Sequence, residues 1–209
     1  MSEATSGHRE RKKRQTRDAI ARAALELFVE RGYDATTLAE IAERAGVATR
    51  TIFAYFPSKE DILFCDFQAM RDQLARELAE RPAGKDALGT LRDFIVSAAP
   101  RKTELDEKLE RVIRSDETLY SHKRARLSQL QELLAAAIAD DLGAGPDDLR
   151  PQVAAASLTA AFGVLEERER GQPPPHTADE IAAAIDPIIA FVRAGLEALP
   201  SPSATSSAR

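Results

Sequence analysis

Apolar positions along this 209-residue chain recur at helical spacing almost throughout, and no stretch alternates with a period of two. A first helix is predicted from about Thr16 to Arg31, where Ile20, Ala24, Leu27 and Phe28 fall at i, i+4, i+7 and i+8 on one face. Gly32 is a natural stop for it. A second opens with "TLAE", in which Thr37 is placed to cap and Glu40 to complete a capping box. Leu38, Ile41, Ala42 and Ala45 form its buried side, and Gly46 breaks it. A third, over about 48–54, is closed by Pro57.

Ser58 then caps a longer helix with Asp61 at its third position, and Leu63, Phe67, Met70, Leu74 and Leu78 continue one face until Pro82 and Gly84. Further helices are expected over about 85–98, 102–115, 117–141, 147–170 and 178–199. The last carries Ile181, Ile185, Ile188, Val192, Leu196 and Leu199 at spacings of four and three, with Pro187 expected to kink it. "GQPPPH" (171–176) reads as a stiff loop. Residues 1–8 and 200–209, rich in Ser, Ala, Thr or Pro, read as disordered tails. The fold class is therefore all-α, with about nine helices.

The second and third helices are joined by "AGVA" and bracketed by Ile41, Ala42, Ala45, Val47 and Ile52, which describes a helix-turn-helix. Ala45 is small enough for a close crossing, and Gly46 reaches a backbone conformation other residues resist. The third helix then turns its remaining residues outward, as a major-groove reader does.

Charge sharpens this picture. The net charge of −5 argues against a chain that is basic overall. Residues 1–60, however, hold 11 Lys+Arg against 9 Asp+Glu, while residues 61–209 hold 18 against 25. "RERKKRQTR" (9–17), which contains Arg14, reads as a basic arm ahead of the first helix, suited to phosphate contact. The single cysteine, Cys65, excludes a disulfide within the chain, and no apolar run is long enough to span a membrane, so a cytoplasmic location is expected. His8, His122 and His176 stand apart, with no HExxH, CxxC, GxSxG or glycine-rich phosphate loop. Neither an enzyme nor a metal or cofactor site is expected.

The segment from "TRDAIARAALELFVERGYDATT" to "FAYFPSKEDIL" resembles the DNA-binding domain of the tetracycline-repressor (TetR) family, over about 48 residues. "TIFAYFPSKEDILFCDF" is also similar to the members that regulate the mycofactocin system in actinobacteria. The resemblance implies a DNA-binding domain over 9–57 and a ligand-binding and dimerisation domain over 58–199. It implies that Thr49, Arg50, Thr51 and Ala54 face the groove, and that Thr37, Tyr55 and Lys59 contact phosphate. Arg50 suits a bidentate contact to guanine or a phosphate contact, and both stay open. Phe53 stands where the family commonly has Tyr, and so lacks the phosphate-reaching hydroxyl. Ala48 stands where Ser or Thr commonly caps the third helix. If Thr49 capped instead, the groove-facing set would rotate.

The same resemblance implies a sequence-specific transcriptional regulator. The expected form is a dimeric repressor that a small-molecule effector releases from a near-palindromic double-stranded operator; an activator is the alternative. The Ala-rich faces of 147–170 and 178–199 suit a two-fold homodimer interface. Phe67, Met70, Phe94, Ile113, Arg114, Tyr120 and Phe162 are the candidate effector contacts, and an arginine among them would suit an acidic ligand such as an acyl-coenzyme A.

Overall fold

The computed structural model describes residues 2–98, 104–168 and 177–199, and among these there is no strand. The "GQPPPH" loop and the 200–209 tail lie outside the described residues. The helices are α1 (Ser2–Arg31), α2 (Leu38–Ala45), α3 (Thr49–Phe53), α4 (Lys59–Leu63) and α5 (Cys65–Ala79). They continue with α6 (Ala87–Ala98), α7 (Glu104–Ser115), α8 (Glu117–Leu142), α9 (Arg150–Arg168) and α10 (Ala178–Ala198).

Among the described residues ten helices stand where about nine were expected, because the helix capped by Ser58 divides at Phe64. The break is shallow: Phe64 N–H donates to Glu60 O at 3.0 Å and Gln68 N–H to Phe64 O at 3.1 Å. A second difference concerns the start of the chain. The basic segment is not an arm preceding a helix that begins at Thr16, nor do residues 2–8 form an irregular tail, because α1 runs from Ser2. Arg, Lys, Glu and Gln are good helix formers, so the basic segment continues the helix toward the N-terminus.

The chain forms two compact units, and their limits fall inside α5 and α8. The first comprises Met1–Met70 and Thr103–Lys123. It therefore extends past the sequence motif that ends near residue 57, and takes in α4 and α7. Its core is built from Ile20, Ala24, Leu27 and Phe28 of α1, Ile41 and Ala42 of α2, and Ile52 and Phe56 around α3. Ile62 and Leu63 of α4, Leu109 and Ile113 of α7, and Leu119 of α8 complete it. Burying a Leu, Ile or Phe side chain is worth about 1.5–3 kcal/mol, so this cluster fixes α3 on its support.

The second unit comprises Arg71–Lys102 and Arg124–Arg209. There α10 packs against both α6 and α9. Ile181, Ile185, Ile189 and Val192 are its buried stripe, so Ile189 takes the position expected of Ile188, and Leu199 is exposed. "TADE" opens α10 with a capping box between Thr177 and Glu180, a signal as legible in the sequence as that of Thr37. Polar pairs fix α6: Arg193 of α10 binds Asp86 ahead of it, and Arg92 Nε donates to Asp186 Oδ1 at 2.5 Å. Arg193 and Gly89 N–H both donate to the Asp86 carboxylate and hold it below the usual aspartate range, although partial burial pushes the other way.

Candidate nucleic-acid interface

The turn between α2 and α3 sets the interface. Gly46 adopts φ 68°, ψ 33°, the left-handed region that favours glycine. Gly46 N–H donates to Glu43 O at 3.1 Å and Val47 N–H to Ala42 O at 2.9 Å, the paired bonds of a Schellman motif. They turn the chain sharply enough for Val47 and Ile52 to reach the α1–α2 core. The cap of α3 is Ala48, extended at φ −74°, ψ 145° and without a side-chain bond. Thr49 is therefore the first residue of α3 and does not cap it, so the helix starts in the register expected with Ala48 as its cap.

On that short helix Ile52 points inward, while Thr49, Arg50, Phe53 and Ala54 are exposed and Thr51 is half-buried. Arg50 makes no ion pair with any described residue, so its guanidinium stands free on the outer face. Phe56, just past the helix, is buried with the Arg17 guanidinium over its ring at 4.9 Å. Tyr55 is half-buried against the same core. Arg14 is exposed on the N-terminal half of α1, among the basic residues of 9–17.

Two of the expected phosphate contacts have partners within the protein. The Lys59 ammonium donates to Tyr33 O at 2.7 Å and Thr36 O at 3.0 Å, and lies over the Tyr33 ring at 4.2 Å. It clamps the start of α4 to the loop before α2 and is not a free cation at a helix end. The Thr37 hydroxyl accepts from Glu40 N–H at 3.2 Å and donates to Glu40 Oε2 at 2.8 Å. The Thr37 N–H bond to Glu40 Oε2 at 2.8 Å, followed by the hydroxyl's bond to the same oxygen, holds the Glu40 carboxyl below the usual range.

Long-range ion pairs support the turn. Arg44 of α2 forks onto Glu30 of α1 at 3.1 and 2.9 Å, and Arg31 reaches Glu40 at 2.8 Å. Arg44 holds the Glu30 carboxyl below its ordinary value, chiefly through those hydrogen bonds. Glu60 of α4 lies 2.9 Å from His122 of α8. None of these pairs has a helical i, i+4 spacing that would have announced it.

The seven candidate effector contacts divide between the two units. Ile113 is buried in the first unit's core with Phe67 packed against it, and Met70 is half-buried at that unit's edge. Phe94 is buried in the second unit, Phe162 is half-buried on α9, and Arg114 and Tyr120 are exposed. An open cleft of about 450 Å³ between α1 and α2, lined by Gln15, Asp18, Arg22, Glu26 and Arg44 among others, shares no residue with them. Among the described residues no three His, Cys, Asp or Glu side chains could hold a metal ion, and no helix is long and apolar enough to cross a membrane. Cys65 is buried, and burial pushes its thiol up to about 12.

The family model for bacterial regulatory proteins of the tetR family matches residues 20–64, from the first buried residue of α1 to the break after α4. The transcriptional regulator TcmR of Streptomyces glaucescens is 33% identical over 169 residues, covering 76% of this chain and 75% of that protein. The regulator MftR of Mycobacterium tuberculosis, whose name ties it to mycofactocin biosynthesis, is 29% identical over 197 residues, covering 90% of this chain and 95% of its own. Among solved structures, NalD, the secondary repressor of a multidrug efflux pump in Pseudomonas aeruginosa, matches with a TM-score of 0.60 at 23% identity. That match covers 85% of this chain and 96% of NalD, and shows a shared fold.

Proposed function

This chain belongs to the tetR family of bacterial regulatory proteins, and on that premise we propose that it is a dimeric repressor released from its operator by a small molecule. It is a DNA-binding transcriptional regulator and not an enzyme. The observation that carries the DNA-binding surface is the outer face of α3. Thr49, Arg50 and Ala54 are exposed there, while Ile52 anchors the helix from beneath. The basic N-terminal half of α1, with Arg14, adds charge for phosphate contact. Arg50 reads a base and Thr51 flanks it; Tyr55 meets the backbone. Operator binding places the protein in the cytoplasm.

Support for the dimer comes from α10, which is apolar on two opposite faces. Residues two positions apart on a helix diverge by about 200°. Ile181, Ile185, Ile189 and Val192 are buried, whereas Ala183, Pro187, Phe191, Ala194 and Ala198 are exposed on the other side. Phe191 is 75% exposed, and Val153 and Val164 of the neighbouring α9 are 55% and 68% exposed. Exposed apolar residues gathered on one helix face mark an interaction surface. A second copy, presenting the same two helices, covers that surface and spaces the two reading helices about 34–36 Å apart.

The effector reading rests on membership of the family and on the unit beyond the reading head. A ligand that prefers dimers with mismatched helix spacing shifts the population off the operator. The test is a gel-shift titration of the full-length protein on the upstream region of its own gene, across a range of salt. Affinity should fall steeply as salt rises, and small molecules extracted from the purified protein should release the DNA when added back. Binding that ignores salt and duplex sequence would sink the operator reading, and DNA retained at saturating extract would sink the effector reading.

A further inference from the structure

Of the eight phenylalanines in the chain, only Phe53 and Phe191 are exposed. Phe191 falls on the proposed dimer face, which leaves Phe53 without a role. It is 56% exposed at the end of α3. No aromatic or cationic side chain among the described residues covers it. It follows Thr49 by four residues and Arg50 by three, so it lies on the outer face that those two residues share. An aromatic ring held in water there by a helix otherwise anchored through Ile52 does not serve the core.

The chemistry of the ring narrows what it can meet. Phenylalanine has no hydroxyl, so it cannot donate to a phosphate oxygen. In the major groove, the apolar group presented by a base pair is the C5-methyl of thymine, and phenylalanine is one of the side chains that contacts it. Three residues of helix advance about 4.5 Å, which is between one and two base-pair steps.

We propose that Phe53 determines operator specificity by packing its ring against a thymine methyl, one to two base pairs from the pair that Arg50 faces. The inference rests on the reading of α3 as the groove-facing helix. It assigns the position an apolar readout of base identity, and the neighbouring Arg50 supplies the polar contact.

The test uses the full-length protein and a duplex that it selects from a randomised pool. Each thymine of the selected duplex is replaced in turn by uracil, which removes only the methyl. At about 0.8 kcal/mol for one buried methyl-sized group, affinity should fall about fourfold at one thymine per half-site, and about fifteenfold when both are replaced. Phe53→Ala should bind the original duplex with that same weakening and be indifferent to uracil, with an unchanged thermal melt because the ring is exposed. A uracil scan without a sensitive thymine overturns the proposal, as does sensitivity that persists in Phe53→Ala. A protein that selects no duplex overturns the operator reading along with it, so the two failures are told apart by the selection step.

Discussion

The Lys59 ammonium donates to the carbonyl oxygen of Tyr33 at 2.7 Å, across 26 residues of chain. With its second bond to Thr36 and its place over the Tyr33 ring, it ties the start of α4 to the loop that delivers α2. Hydrogen bonds from a charged donor contribute about 1.5–3 kcal/mol each, so Lys59→Met should lower unfolding stability by about 2 kcal/mol or more. Denaturant titration of the variant measures it. An unchanged midpoint together with weakened DNA binding would instead make Lys59 a plain phosphate contact.

Arg50 is the complementary case, a guanidinium with no ion pair among the described residues on the exposed face of α3. Arg50→Ala should cost about 1–3 kcal/mol on the cognate duplex, roughly 5- to 150-fold in affinity, and relax preference at one base pair per half-site. Stability should not change. Competition binding against single-position variants of the duplex reads this. A uniform loss across all sequences, with the salt slope reduced by about one, would assign Arg50 to phosphate.

The doubly apolar α10 makes a prediction about assembly. Phe191→Glu places a charge in the centre of the exposed face while leaving Ile185, Ile189 and Val192 in place. The helical content should persist and the dimer should dissociate, with operator affinity falling because two half-sites are no longer read together. Sedimentation equilibrium at micromolar concentration decides it. A variant that sediments as a dimer would show that the proposed interface lies elsewhere.

Asp86 and Arg193 predict an acid dependence. The folded-state carboxyl is depressed, so the stability that the pair contributes is fully present above the ordinary aspartate value and is lost as pH falls through the depressed one. Asp86→Asn should melt below the parent at neutral pH, and the gap should close progressively in acid. Thermal melts across the carboxylate range test the sign. A gap independent of pH would remove the ion pair as its cause.

How much of this was legible in the sequence follows from the range of each interaction. The helix-turn-helix, its Gly46 turn and the caps at Thr37 and Ser58 were readable because each depends on residues within a few positions of one another. The Thr177 capping box carries the same local signal. The start of α1 is harder to see, because "RERKKRQTR" has no apolar stripe to mark a helix, although its residues are good helix formers.

The sequence by itself determined the all-α class, the inward side of each helix of the reading head and the family, because helical periodicity and local capping are short-range properties of the chain. Only the tertiary structure decided that Lys59 points to protein partners and that Arg44 forks onto Glu30 fourteen residues away. It also decided that α10 is left with a second apolar face, and that Phe53 stands in water beside Arg50. A polar side chain's partner depends on which segments packing brings within about 3 Å, and no spacing along the chain encodes that distance.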